Sequence, residues 1–284
     1  MSEKVLMKGN EAIAEAALRA GCRHYFGYPI TPQTEIAAYM AKRMPKIGGV
    51  FLQAESEISA INMVYGVSST GKRVMTSSSS PGVSLKMEGI SYLAGSDLPA
   101  VIVNVQRGGP GLGGIQPSQS DYFQATKGGG HGDYHMIVLT PASVQEMASL
   151  TMLAFDLADK YRTPVMILAD GTIGQMMESV VLPDEVKEKK YEKPWALTGT
   201  KMMREHNIVN SLYLSPEKLE ETNIERFERY RKIEENEVRV ESYMMDDASY
   251  ALVAFGIASR VAKASVNELR ALGVKCGLIR PLTV

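Results

Sequence analysis

Four short stretches carry side chains able to do chemistry: Tyr28-Pro29-Ile30-Thr31, Gln53-Ala54-Glu55, Ser77 to Gly82, and Gln106-Arg107 followed by glycines to Gly114. They offer hydroxyls, a carboxylate and a guanidinium. Each follows a short apolar run and precedes a helical pattern, so each reads as a strand-to-helix turn. In a parallel sheet all such turns open at the same carboxyl edge, where ligands of open α/β sheets bind. If the strands are neighbours, the four turns share one crevice. Every feature also has a plain structural use. Thr31-Pro32 suits a helix N-cap followed by a first-turn proline, and Glu55 is an acid favoured at a helix N-terminus. Arg107 could close a salt bridge or offer a planar fork to a ligand carboxylate. Glu57 is not expected to be an acid/base mate of Glu55, because helix residues two apart do not face each other.

Two look-alike motifs carry no chemistry. Gly66 to Lys72 has phosphate-loop spacing, but Arg73 stands where a Ser/Thr would hold magnesium. The stretch also ends a helix and enters a strand, the reverse of the order that aims loop amides at a phosphate. His131, Asp133 and His135 supply no independent fourth metal ligand, and their glycine-rich setting predicts a mobile loop that orders over the site. The two cysteines, Cys22 and Cys276, are far apart with no CxxC spacing, which excludes a disulfide framework and a zinc or iron–sulfur site made by this chain alone. A reducing cytoplasm is expected. With 31 Lys+Arg against 32 Asp+Glu the net charge is −1, so no basic field exists for nucleic acid or an anionic membrane. No apolar run reaches the roughly 18 residues of a membrane span, and the N-terminus lacks a signal-peptide profile.

The elements that must position the four turns follow from periodicity. A helix over 10–20, capped at Gly21, comes before any strand. Strand 23–26 leads through Thr31 into a helix reaching about Met44, strand 50–54 into a helix from Glu55, and strand 73–77 into a helix over 84–94. Strand 100–106 enters the glycine-rich loop. Strand 135–139, a helix opened by the capping box Ser143 to Glu146, and strand 164–169 complete the pattern. This alternation predicts an α/β fold with a largely parallel sheet and helices on both faces, over 1–180. Residues 181–246 are dense in charge and read as a linker with a docking helix from Ser215-Pro216, whose Leu219, Ile224, Phe227, Tyr230 and Ile233 lie near one face. Strand 250–255, helix 258–272 and strand 275–279 begin a second α/β domain over 247–284. Two strands cannot enclose a core, so this domain is expected to be incomplete.

Gly27 to Pro32, Leu52 to Glu57, Thr76 to Gly82 and Val103 to Pro110 together resemble the alpha subunits of 2-oxoacid:ferredoxin oxidoreductases, which use thiamine diphosphate. The resemblance covers essentially the whole chain in order. Gly128 to Tyr134 resembles the branched-chain, 2-oxoisovalerate type, while the overall pattern is also similar to 2-oxoglutarate relatives. Family alpha subunits continue beyond Arg280 to Val284, so a truncated chain is expected, ending inside a transketolase C-terminal-like domain.

The resemblance implies a pyrimidine-binding thiamine diphosphate domain here. A beta subunit would bring the diphosphate and Mg2+ site, and an iron–sulfur subunit would pass electrons to ferredoxin. Glu55 would hydrogen-bond the pyrimidine ring in a largely dry pocket, favouring the imino form that removes the thiazolium proton. Tyr28, Pro29 and Ser79 would line the cofactor. Thr31 and Arg107 would bind the 2-oxo acid, and coenzyme A would take the acyl group. The competing expectations are a non-redox thiamine enzyme and a non-catalytic scaffold subunit.

Overall fold

The computed structural model describes residues 4–183 and 191–284; Met1 to Glu3 and residues 184–190 of the expected linker lie outside the described residues. In chain order the elements begin with β1 (Lys4–Lys8), α1 (Gly9–Arg19), β2 (His24–Gly27), α2 (Thr34–Arg43), β3 (Val50–Gln53), α3 (Glu57–Ser69) and β4 (Val74–Ser78). They continue through α4 (Ser80–Gly95), β5 (Ala100–Gln106), α5 (Tyr122–Thr126), β6 (Ile137–Leu139), α6 (Val144–Tyr161) and β7 (Pro164–Asp170). Last come α7 (Gly171–Gln175), β8 (Met177–Val181), α8 (Pro216–Asn236), β9 (Val240–Tyr243), β10 (Tyr250–Val253), α9 (Gly256–Ala271) and β11 (Cys276–Pro281).

Six strands form one sheet in the order β3-β2-β4-β5-β7-β6, and every pairing in it is parallel. The central strands β5 and β7 are buried at every position, as strands covered on both faces must be. Their alternate residues feed opposite cores. Val101, Val103 and Val105 join the layer of α1, α2 and α6, whereas Ala100 and Ile102 join the layer of α3 and α4. This is the expected α/β architecture, with helices on both faces.

Several local expectations are corrected. A strand does precede the first helix: β1 pairs antiparallel with β8, outside the main sheet. Thr31 is not a helix cap, since α2 starts at Thr34 with Gln33 as its N-cap residue, after a cis Thr31-Pro32 peptide. α3 starts at Glu57 rather than Glu55, because the Ser56 hydroxyl accepts from Ser59 N at 3.2 Å and fixes the first turn there. α4 starts at Ser80, four residues before its expected beginning. The Ser143 cap stands, but Glu146 accepts from Ala142 N at 2.8 Å rather than from Ser143.

β9, inside the segment read as linker, pairs antiparallel with β11 and adds a third strand to the 247–284 sheet. That sheet covers only a small core of Val266, Cys276 and Leu278. On α8 the expected apolar face docks only in part: Tyr230 is buried and Ile233 packs against the core, but the first turns differ. Thr222, Arg226 and Tyr230 are buried while Leu219, Ile224 and Phe227 are exposed. Polar contacts decide this. Arg226 bonds Asp97 Oδ1 at 3.2 Å and Gly95 O at 2.9 Å, and Tyr230 stacks on His135 with ring centroids 5.0 Å apart.

Arg73, the residue that spoils the phosphate-loop look-alike, has a structural task. Its guanidinium bonds Asp159 and Asp156, each at 2.8 Å, and the Ala20 carbonyl at 2.6 Å, tying α6 and the end of α1 to the start of β4. Both Arg73 and Asp159 are buried at 6% side-chain exposure, so this is not a screened surface pair. Among the described residues no helix is long and apolar enough to cross a membrane. Removing one partner of a buried ion pair costs about 3–5 kcal/mol. Because Lys193 also reaches Asp159, Arg73→Met should cost about 3 kcal/mol, the low end of that range. Urea unfolding midpoints of wild type and Arg73→Met check this, and an unchanged midpoint would contradict it.

Candidate functional site

The strand order makes β3, β2, β4 and β5 consecutive neighbours, so the four turns do meet at one carboxyl edge. Hydrogen bonds join them further. Ala54 N, after β3, donates to Gly27 O at 2.9 Å, and Arg107 Nη1, after β5, donates to Thr31 O at 3.1 Å.

The turn after β4 is the polar centre. Ser77, Ser78, Ser79 and Ser80 are all buried, although hydroxyls gain little from burial unless they are bonded. Ser77 Oγ meets Tyr25 Oη at 2.6 Å and also Gln33, whose amide donates to Tyr28 O at 3.2 Å. Ser80 N donates to Asn104 Oδ1 at 3.1 Å and Ser80 Oγ to Asp121 Oδ2 at 2.6 Å. Ser78 Oγ and Ser79 Oγ are buried with no hydrogen-bond partner. Two adjacent unpaired hydroxyls in an otherwise bonded turn are what a polar ligand would satisfy.

Glu57 lies against this turn. A Cβ added at Gly82 would stand 2.1 Å from Ser78 Oγ and 2.6 Å from Glu57 Oε1, so the glycine makes room for a carboxylate and a hydroxyl at close quarters. Glu57 is buried at 6% exposure. Glu55 is exposed, its carboxylate accepting from Ser59 Oγ, and the Ser59 and Ser56 hydroxyls hold it below the usual carboxylate range. The expectation of Glu55 in a dry pocket is therefore corrected for this chain: its side chain points to water, and Glu57 occupies the buried place.

Arg107 is buried and, among the described residues, forms no salt bridge. Its terminal nitrogens donate to the carbonyls of Thr31 and Leu112, at 3.1 and 3.0 Å, and its Nε is buried without a partner. Thr31 itself is exposed beside it, as are Tyr28 and Pro29. Asp170, after β7, caps α7 by accepting from Thr172 N and Ile173 N at 2.8 and 3.2 Å, and burial pushes its carboxyl above the ordinary range. The Gly128–His131 stretch packs along α4, with Ser91 Oγ donating to His131 O at 2.7 Å and Gly130 N donating to Tyr134 Oη at 3.1 Å.

Glu57 and Lys86, whose Nζ donates to Thr76 Oγ1 at 3.0 Å, are buried ionisable groups beside this turn that sequence reasoning missed, yet a signal existed. Glu57 shares the buried stripe of Ala60, Ile61 and Val64, and Lys86 that of Val83, Met87 and Ile90. A charge falling on the apolar face of a helix marks a buried ionisable group.

Comparison with known proteins places this geometry. The family profile described as pyruvate flavodoxin/ferredoxin oxidoreductase, thiamine diphosphate-binding, matches residues 15–245. The chain is 55% identical over 279 residues to ketoisovalerate oxidoreductase subunit VorB of Methanothermobacter marburgensis, covering 98% of this chain and 79% of that one. It is 39% identical over 305 residues to 2-oxoglutarate synthase subunit KorA of Methanocaldococcus jannaschii, covering 98% and 82%. Among solved structures, the 2-oxoglutarate:ferredoxin oxidoreductase from Magnetococcus marinus with 2-oxoglutarate, coenzyme A and succinyl-CoA bound superposes with a TM-score of 0.89 at 30% identity. That match covers 99% of this chain, which spans only 54% of the solved one.

Two glycine substitutions separate the cradle from ordinary helix effects. At Gly66, inside α3, a Cβ meets nothing within 4 Å, so Gly66→Ala should stabilise by about 0.5–1 kcal/mol. Gly82→Ala must push Ser78 and Glu57 apart and should cost about 1–3 kcal/mol. Thermal melts of the two variants should move in opposite directions; a neutral Gly82→Ala would show that the cradle is loose.

Proposed function

This chain belongs to the pyruvate flavodoxin/ferredoxin oxidoreductase family through its thiamine diphosphate-binding domain, and we propose that it is the alpha-type subunit of a cytoplasmic 2-oxoacid:ferredoxin oxidoreductase. The reaction is oxidative decarboxylation of a 2-oxo acid to its acyl-CoA, with electrons leaving to ferredoxin. A beta subunit supplies the diphosphate and Mg2+ site, and an iron–sulfur subunit carries the electrons. The substrate is 2-oxoisovalerate, on the strength of the 55% identity to a ketoisovalerate oxidoreductase subunit. The likeness to KorA and to the 2-oxoglutarate-bound structure keeps 2-oxoglutarate as the second reading.

The observation that carries this reading is a buried carboxylate, Glu57, beside two buried hydroxyls without partners at the carboxyl edge of a parallel sheet. The set fits an aminopyrimidine ring: an acid for a ring nitrogen, the Ser78 and Ser79 hydroxyls for polar edges, and Gly82 for clearance. Thiamine diphosphate supplies the carbon nucleophile when bound. The role assigned by resemblance to Glu55 belongs on this geometry to Glu57, which can hold a proton at its Oε1 away from water. Glu55 remains the competing assignment if a partner chain covers it.

Arg107 and Thr31 bind the substrate. Arg107 is held ready by two main-chain carbonyls, and an arriving carboxylate offers its fork a charged partner in their place. The Thr31 hydroxyl stands exposed at the same turn, next to Tyr28 and Pro29, which line the cofactor side.

In the assembled enzyme, Glu57→Gln should slow proton exchange at the thiazolium carbon by about 10²–10⁴-fold while Glu55→Gln stays near wild type. The reverse result returns the role to Glu55, and wild-type exchange in both supports the scaffold reading. Arg107→Met should lower kcat/KM by roughly 30- to 5,000-fold, and Arg107→Lys by less. Unchanged kinetics per bound cofactor would remove Arg107 from the site. A panel of 2-oxo acids, read on wild type, should place 2-oxoisovalerate first.

A further inference from the structure

Lys86 is a fully buried lysine that the proposed mechanism does not use. Its side chain runs from α4 into the space below the serine turn, where Nζ donates to Thr76 Oγ1 at 3.0 Å. An ammonium has three donors, and one hydroxyl does not repay the removal of a charge from water. Such a group persists where a countercharge lies close by. Among the described residues of the elements packed against α4, the countercharge that acts on Lys86 is Glu57 of α3. β4 contributes the Thr76 hydroxyl and β5 the uncharged Asn104. Asp121 is engaged with Ser80 and Asn104, Asp170 caps α7, and Tyr134 reaches Met87 Sδ at 3.8 Å.

We propose that Lys86 is a positioning residue that acts through space on Glu57, holding it ionised between proton transfers under the pyrimidine site. The inference rests on the reading of Glu57 given above and adds a second ionisable group to that site. Burial pushes the Lys86 ammonium down to about 8, with Glu57 acting against that fall. The direction of its influence follows. Below this range Lys86 is charged and favours the carboxylate form of Glu57; above it the charge is lost and Glu57 binds a proton more firmly.

The test uses the assembled enzyme with wild-type chain, Lys86→Met and Lys86→Arg. The Glu57 carboxyl is followed by infrared difference spectroscopy on 13C-glutamate-labelled protein without cofactor, assigned by its loss in Glu57→Gln. Proton exchange at the thiazolium carbon is followed with cofactor, across pH. In Lys86→Met the Glu57 midpoint should rise by about one pH unit or more, carrying the acid limb of the exchange profile with it. Lys86→Arg, charged throughout, should keep the wild-type acid limb and lose the alkaline fall near 8. If Lys86→Met does not assemble, Lys86→Gln removes the charge while retaining a donor for Thr76, and serves the same measurement. A Glu57 midpoint that stays put in the neutral variant, with only the melting temperature lowered, overturns the proposal and leaves Lys86 a packing residue. Failure of the Glu57 reading looks different: Glu57→Gln would then exchange at the wild-type rate whatever stands at position 86.

Discussion

A strand that runs through two serines into a turn of two more, all four buried, is the constraint around which this molecule is organised. β4 lies third in the sheet, between β2 and β5, and every residue of it is buried. Thr76 through Ser80 therefore carry hydroxyls into a place with no water to receive them, and each must find a protein partner or a ligand. Neighbouring elements answer in turn. β2 sends Tyr25 to Ser77, α4 sends Lys86 to Thr76, and β5 with the following loop sends Asn104 and Asp121 to Ser80. Of these five hydroxyls only those of Ser78 and Ser79 are left over, two adjacent unpaired groups at the carboxyl edge of the sheet.

The same accounting explains the position of the ionisable groups. Glu57 and Lys86 enter this region from adjacent helices, α3 and α4, each from a stripe that is otherwise apolar. Glu55, two residues earlier, belongs to the turn rather than the helix, and a rotation of that size along the backbone is enough to turn a carboxylate from the interior to water. The difference between the two acids is set by Ser56. By accepting from Ser59 N it decides where the helix begins, and hence which acid faces inward.

The sheet was legible because its signal is local: short apolar strands broken by turn residues, then helical spacing, repeated. The meeting of the four turns was legible only as a condition, since strand order depends on pairings between distant segments. What the sequence hid was decided by polar contacts across long separations. The docked face of α8 keeps the expected Tyr230, which stacks on His135, but takes Arg226, bonded to Asp97, in place of Leu219 and Phe227. β9 was masked in the same way: its Val240-Glu241-Ser242-Tyr243 looks like charged linker until Arg280 of β11 pairs with Glu241 across the sheet. Thr31 failed as a cap for a simpler reason. The turn it sits in runs on to Gln33 before the chain can enter a helix.

Arg107 is fastened by main-chain oxygens, those of Thr31 and Leu112. Every amino acid supplies the same carbonyl, so neither position has to keep its side chain for the guanidinium to stay aimed. Sequence drift at 112 can therefore change the shape and polarity of the mouth of the crevice without disturbing the charge behind it. The shape of the crevice mouth at Leu112 is thus free to vary independently of the buried cation behind it.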